Sequence, residues 1–255
     1  MNWAELALSI GMAAAAGLVG CFAVMRRMSL ASDAMSHVAL PGIGLALVLH
    51  LHPMVGAAAA LAAGTLVIWG LERRTGISTE TMIGVTFSLA LAVGTLLATG
   101  EELVDALLGG AGTLGRWELA LGVAGSAAVV AFVLGQRHRL VLAMVSADIA
   151  RTAGVRVARL DLLFLLAFAL TVALGLRYLG VLLMGSLIIM PAATAKHVAR
   201  NLDEMFAVAV AAAIAATVAG ELLAARLDRP TGPLIILVAA ALFFGSLVLR
   251  RRRQG

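Results

Sequence analysis

Long apolar runs separated by short polar breaks recur along the whole chain, at residues 4–24, 30–50, 53–71, 81–99, 117–135, 158–176, 179–199, 204–225 and 231–249. As helices rising about 1.5 Å per residue, runs of this length cross a hydrocarbon layer of roughly 30 Å. The pattern predicts an all-α membrane protein, a polytopic helical bundle of about nine transmembrane helices forming one unit over residues 1–255. Several runs lie near the lower length limit or are interrupted by Gly and Pro, so eight crossings plus a re-entrant segment also satisfy it.

The polar breaks carry a direction. With the N-terminus outside, Arg26, Arg27, Arg73, Arg74, Arg137, Arg139, Arg151, Arg156, Arg159, Lys196, Arg200 and Arg250 to Arg253 fall at inner ends. Only Arg116, Arg177, Arg226 and Arg229 of the 19 Lys and Arg residues fall outside. Basic residues resist translocation, so the expected topology has the N-terminus outside and the C-terminus cytoplasmic. Leu18-Val19-Gly20-Cys21 resembles a lipoprotein cleavage box, but Glu5 precedes the run and Arg26-Arg27 follow it, the reverse of a signal peptide's charge order.

Composition narrows the class. A hydrophobic fraction of 62%, a charged fraction of 13% and a mean hydropathy of +1.04 exclude a soluble domain. The net charge of +5 lies in clusters at helix ends, where it orients helices in a lipid bilayer and implies no nucleic acid. Cys21, the single cysteine, has no internal partner and reads as packing. Ala-rich tracts such as Ala13 to Ala16 let helices approach closely in lipid.

Two connections are longer than the rest. Gly100 to Arg116, outside by this topology, carries Glu101, Glu102 and Asp105 ahead of the Gly109-Gly110-Ala111-Gly112 cluster. It reads as a flexible acidic loop or as a short helix at the outer mouth. Gln136 to Arg159 is inside. Within it Ser146 can cap a helix, Asp148 favours the first turn and Gly154 can close it, which predicts a short helix on the cytoplasmic face.

Candidate chemistry begins with Asp33 and His37, four residues apart inside the second run. On a helix they share a face. Ionisable groups at that depth cost roughly 2.5–3.5 kcal/mol on insertion scales and tend to face a bundle interior or a water path. A carboxylate and an imidazole also suit Zn, Mn or Fe ions, but two ligands make half a site. The plainer alternative is that Asp33 bonds His37 or caps a helix after Ser32. Pro41-Gly42, one turn on, predicts a break or kink of the helix that lines a cavity, and Pro191 gives a second break in a late run, with a simple kink relieved by Thr194 or neighbouring helices as the plainer alternative. His50 and His52 fall at the expected outer mouth, His138 and His197 at inner ends among cations, and Glu221 near an outer end.

No Gly-x-x-x-x-Gly-Lys-[Ser/Thr] loop is present to hold a nucleotide, so the chain is not expected to be an enzyme, and any ATP would be hydrolysed by another chain. No His-Glu-x-x-His occurs to support an intramembrane zinc protease, and Gly185-Ser186 alone does not nominate a serine nucleophile.

Five blocks in order carry a family resemblance across nearly the whole chain. They are Arg27-Met28-Ser29-Leu30 through Asp33, His37 and Leu40-Pro41-Gly42; Ile83-Gly84-Val85-Thr86-Phe87-Ser88; Asp148 with Ala150 and Ala153-Gly154; Gly180-Val181-Leu182-Leu183 through Pro191-Ala192-Ala193-Thr194-Ala195; and Pro230-Thr231-Gly232. The chain thereby resembles the permease subunits of bacterial zinc, manganese and iron ABC importers, the ABC-3 family. The resemblance implies a type II importer permease of the bacterial cytoplasmic membrane, paired with a second permease copy or a paralogue. It implies two cytosolic ATPases and an extracytoplasmic metal-binding protein as partners, and a transported Zn, Mn or Fe ion with no resident cofactor. Asp33 and His37 are then the metal ligands. Ala147, Asp148, Ile149, Ala150, Arg151, Ala153 and Gly154 form the coupling helix that docks on the ATPase. The competing readings are an importer subunit for iron chelates or vitamins and an ion-coupled secondary carrier with Asp33 and His37 as a proton relay.

Overall fold

The computed structural model describes residues 3–28, 31–97, 115–179 and 181–254. The chain forms α1 (Trp3–Met25), α2 (Ala31–Val48), α3 (Pro53–Thr75), α4 (Thr79–Leu97), α5 (Arg116–Val145), a short α6 (Ala147–Thr152), α7 (Val157–Leu179), α8 (Val181–Val198), α9 (Leu202–Leu227) and α10 (Thr231–Gln254). Among the described residues, nine helices have 18 or more residues, one at each predicted apolar run. By length and composition seven of them, α1, α2, α3, α5, α7, α9 and α10, are long and apolar enough to cross a membrane, while α4 offers a shorter apolar stretch, Thr79–Gly94. The acidic loop with Glu101, Glu102, Asp105 and the Gly109 to Gly112 cluster lies outside the described residues.

Beyond Ser9 helix α1 is apolar on every side, the pattern of a helix enclosed by others. Leu8, Met12, Val19, Cys21 and Phe22 are all buried. It packs against α5, α7, α8 and α9. Near its end Phe22 meets Phe164 of α7 edge-on at 6.0 Å and Phe206 of α9 at 5.5 Å, an aromatic knot joining three helices. The Cys21 thiol donates to the Met205 carbonyl at 3.8 Å within this core, so the residue serves packing. Helix α2 forms a second centre, between α3, α4 and α8.

Cross-helix contacts separate the two ends of the bundle. At the basic end Arg26 pairs with Asp161 at 2.9 Å, the Trp69 indole N–H donates to the Ala158 carbonyl at 2.9 Å, and Arg137 pairs with Asp203 at 2.7 Å. At the other end His52 Nε2 lies 3.6 Å from Glu118, and Ser9 hydrogen-bonds Glu221 with Glu5 near by.

Two expectations are corrected. Neither proline breaks its helix: α2 runs through Pro41 and Gly42, and α8 through Pro191. A helical proline forfeits one backbone N–H, a local loss that surrounding helices accommodate. The second concerns α5, which runs ten residues past the predicted end at 135, to Val145. Gln136 to Arg139 leave the apolar pattern, but polarity does not stop a helix. A competing cap does, and Ser146 supplies one by accepting the Ile149 N–H of the next helix.

Candidate functional site

Helix α2 packs mainly against α3, α4 and α8 and leaves one stripe less covered than the rest, exposed at Asp33, Leu45 and Val48 and half-buried at His37 and Pro41. These positions recur at intervals of three or four. Asp33 and His37 occupy the end nearer the basic cap. The serines beside them turn away: Ser32 and Ser36 are completely buried, with Ser32 Oγ donating to the Gly185 carbonyl at 3.3 Å and Ser36 Oγ to the Ser32 carbonyl at 2.8 Å. Ser32 thus fastens α2 to α8, and Asp33 is left on the open side.

Two residues with no expected part in the site hold it. The His37 ring lies edge-on to Phe87 of α4, with centroids 5.4 Å apart. Gly185 of α8 comes so close that a Cβ there would stand 3.0 Å from the Asp33 backbone. Both belong to stretches singled out in the sequence, Phe87 in a family block and Gly185 in the rejected Gly-Ser pair, yet nothing in either stretch names its partner.

His37 Nδ1 is buried with no hydrogen-bond partner among the described residues. Such a group costs roughly 1–3 kcal/mol unless something else satisfies it. Pro41, four residues on, has no N–H, so the His37 carbonyl also lacks its usual helical donor. One turn of α2 therefore carries a carboxylate, an unsatisfied imidazole nitrogen and a carbonyl freed from the helix. All are electron-pair donors suited to a cation. Among the described residues no group of three or more His, Cys, Asp or Glu side chains could hold a metal ion, so within one chain Asp33 and His37 gain no third such side chain.

Gly42 serves a different purpose from the expected break. A Cβ on Gly42 would collide with the Gly56 carbonyl of α3, and one on Gly56 with the Gly42 carbonyl. The two glycines bring α2 and α3 into backbone contact, as small residues do in lipid. Pro191 is buried in α8. His52 caps α3 by accepting the Met54 N–H at 3.3 Å, and His50 is exposed with φ 54°. His138 accepts from Arg137 Nε at 3.2 Å, His197 packs on Phe243, and Glu221 is half-buried beside Ser9.

The short surface helix forms where its caps predict. Ser146 Oγ accepts the Ile149 N–H at 3.3 Å, and Asp148 pairs with Arg151 at 2.7 Å. At the far end Gly154 adopts φ 80°, its N–H bonds the Arg151 carbonyl at 3.0 Å, and the Val155 N–H bonds that of Ala150 at 2.9 Å. This is the paired closure that a left-handed residue permits. Ala150 is buried while Ala147 is half-buried, Ala153 is exposed and Ile149 is 56% exposed. The helix is anchored on one side and presents Asp148, Ile149 and Arg151 on the other.

Known proteins share this architecture. The high-affinity zinc uptake system membrane protein ZnuB of Haemophilus influenzae is 29% identical over 240 residues, 92% of each chain. The manganese import system permease protein ScaB of Streptococcus parasanguinis is 27% identical over 252 residues, 97% of this chain and 89% of that one. PsaBC from Streptococcus pneumoniae, solved in complex with Fab, matches with a TM-score of 0.80 and 27% identity over 94% of this chain and 88% of that one. The model of the ABC 3 transport family matches residues 1–250, and the chain belongs to that family of multi-pass membrane permeases.

Proposed function

We propose that this single-unit permease carries a divalent transition-metal ion, zinc, manganese or iron, into the bacterial cytoplasm, powered by ATP hydrolysis on a partner subunit. The unsatisfied His37 Nδ1, one turn from the open Asp33 carboxylate, is the observation that carries the reading. The zinc and manganese functions in the names of the matched relatives agree with it. A path for a bulky chelate or vitamin has no need of such donors.

A carboxylate and an imidazole complete a four-ligand site when a second copy brings its own pair. The less covered stripe of α2 is the natural place for that copy, since an ionisable face in lipid is costly and a polar face opposite relieves it. Alternating access then moves the paired site between the two sides. The capped helix at Ala147–Thr152 docks on the ATPase. The Arg26–Asp161 pair ties the turn before α2 to the first turns of α7, which follows that helix, and so transmits ATPase movement toward Asp33. The basic end faces the cytoplasm, with the N-terminus outside and all nine long helices crossing. An extracytoplasmic metal-binding protein delivers the ion.

Reconstitution in proteoliposomes with the partner ATPase tests this. Wild-type permease should accumulate radiolabelled zinc or manganese only with ATP, and Asp33→Ala should lower that rate to below about one hundredth, since direct ligands outweigh the 10–100-fold of outer-shell groups. Undiminished uptake of every metal by Asp33→Ala would refute the site.

A further inference from the structure

At the basic end, beside the short helix and sharing its Arg151 and Gly154, lies a recess of about 490 Å³ whose remaining arginines have no part in the proposed transport. Arg73 of α3, Arg151 of α6, Arg156, and Arg159 of α7 line it, together with Gly154 and Val155. Arg151 is matched by Asp148 and Arg73 lies over the Trp69 ring at 5.0 Å. Arg73, Arg156 and Arg159 have no carboxylate partner among the described residues. The amino end of the 23-residue α7 opens beside them and adds the positive end of its dipole. Four guanidinium groups around one concavity, three of them uncompensated, call for a compact anion. Phosphate suits them by charge and by the geometry of the planar fork.

The surroundings separate a phosphate in solution from one borne by lipid. Along α7 the face below Arg159 continues as Leu163, 49% exposed, and Leu170, 38% exposed. Along α3 the face below Arg73 continues through Trp69 to Leu66, 51% exposed. Trp69 Nε1 bonds the Ala158 carbonyl, so the two faces adjoin at the seam of α3 and α7. A basic cup above a continuous apolar surface matches an amphiphile with an anionic head, and basic pockets between transmembrane helices are known to receive such headgroups.

We propose that the recess binds the headgroup phosphate of an anionic phospholipid, whose acyl chains lie along the exposed faces of α3 and α7. This rests on the proposed orientation only for the leaflet that supplies the lipid. The binding needs neither metal nor ATP, so its test stands or falls separately from the uptake assay.

Full-length permease, stripped of lipid in detergent, would be titrated with phosphatidylglycerol or phosphatidylcholine of identical acyl chains, with bound lipid counted by native mass spectrometry. Wild type should prefer phosphatidylglycerol, and R156Q/R159Q should lose that preference by about tenfold or more, as removal of two basic contacts implies. R139Q/R200Q, with equal charge loss elsewhere, should keep it, as should R156K/R159K in large part, and thermal melts establish that each variant is folded. An equal loss in R139Q/R200Q would overturn the proposal, as would displacement of the lipid by millimolar inorganic phosphate. Indifference of the wild type to headgroup, with R156Q/R159Q failing instead to retain the ATPase, would assign the recess to a protein contact and overturn it too.

Discussion

Helices α2 and α8 are built alike and used differently. Each has 18 residues, each carries a proline at its eleventh position, and they pack against one another. At the third and seventh positions α2 has Asp33 and His37 where α8 has Leu183 and Leu187, and at the twelfth it has Gly42 where α8 has Ala192. In α8 the seventh-position Leu187 and Pro191 are buried, so the hydrogen bond missing at the proline lies within protein. In α2 the same loss falls at a half-buried proline within about two turns of two ionisable groups. A proline in a span therefore marks nothing alone. The chemistry of the face it shares decides whether the freed carbonyl is a packing detail or a donor.

Exchanging the seventh positions in function is the sharpest way to break this comparison. His37→Ala should abolish metal uptake while leaving the melting temperature unchanged or higher, because it removes a buried nitrogen with no partner. Leu187→Ala should do the reverse. It opens a cavity in a completely buried position and should cost about 2–5 kcal/mol, with uptake per folded permease preserved. Melting curves beside transport rates, normalised to folded protein, separate the two. Loss of transport in both at equal folded content would dissolve the distinction.

At the twelfth position the contrast is steric. Gly42→Ala drives a methyl into the Gly56 carbonyl of α3 and should destabilise the permease by about 1–3 kcal/mol. Ala192, already carrying a methyl in a buried site, should accept Gly with a loss of about 1 kcal/mol from helix propensity. Denaturation of the two variants in one detergent compares them directly. Equal losses would mean that the α2–α3 contact has slack.

How much of this could be read beforehand depends on the range of the interaction. Asp33 and His37 were visible because ionisable residues in an apolar run are costly and their spacing fixes a common face. The helix at Ala147–Thr152 was visible because Ser146, Asp148 and Gly154 act within a few residues of themselves. The contacts of Phe87 with His37, of Gly185 with Asp33 and of Gly42 with Gly56 join residues far apart in sequence, and no periodicity encodes which helices meet. Arg26 was legible as a charge that resists translocation, but its bond to Asp161, 135 residues away, was not. The end of α5 lies beyond its apolar run for a related reason: apolar periodicity marks where a helix meets lipid, whereas hydrogen-bond competition marks where the helix stops.

The prolines give the smallest and most discriminating test. Alanine at either position restores a backbone N–H, which in α8 would bond the Leu187 carbonyl and in α2 the His37 carbonyl. The gain is offset by lost ring contacts and by a more flexible unfolded chain, the latter worth about 0.4–1 kcal/mol, so both variants should stay within about 1 kcal/mol of wild-type stability. Transport should tell them apart. Pro191→Ala should leave uptake within about twofold of wild type, because the carbonyl it satisfies is sealed in protein. Pro41→Ala should slow uptake several-fold, because its new N–H occupies a donor on the turn that carries Asp33 and His37, a shift of about 1 kcal/mol in the free energy of ion passage. Equal transport by the two variants would show that the freed carbonyl of α2 takes no part, and the site would shrink to its two side chains.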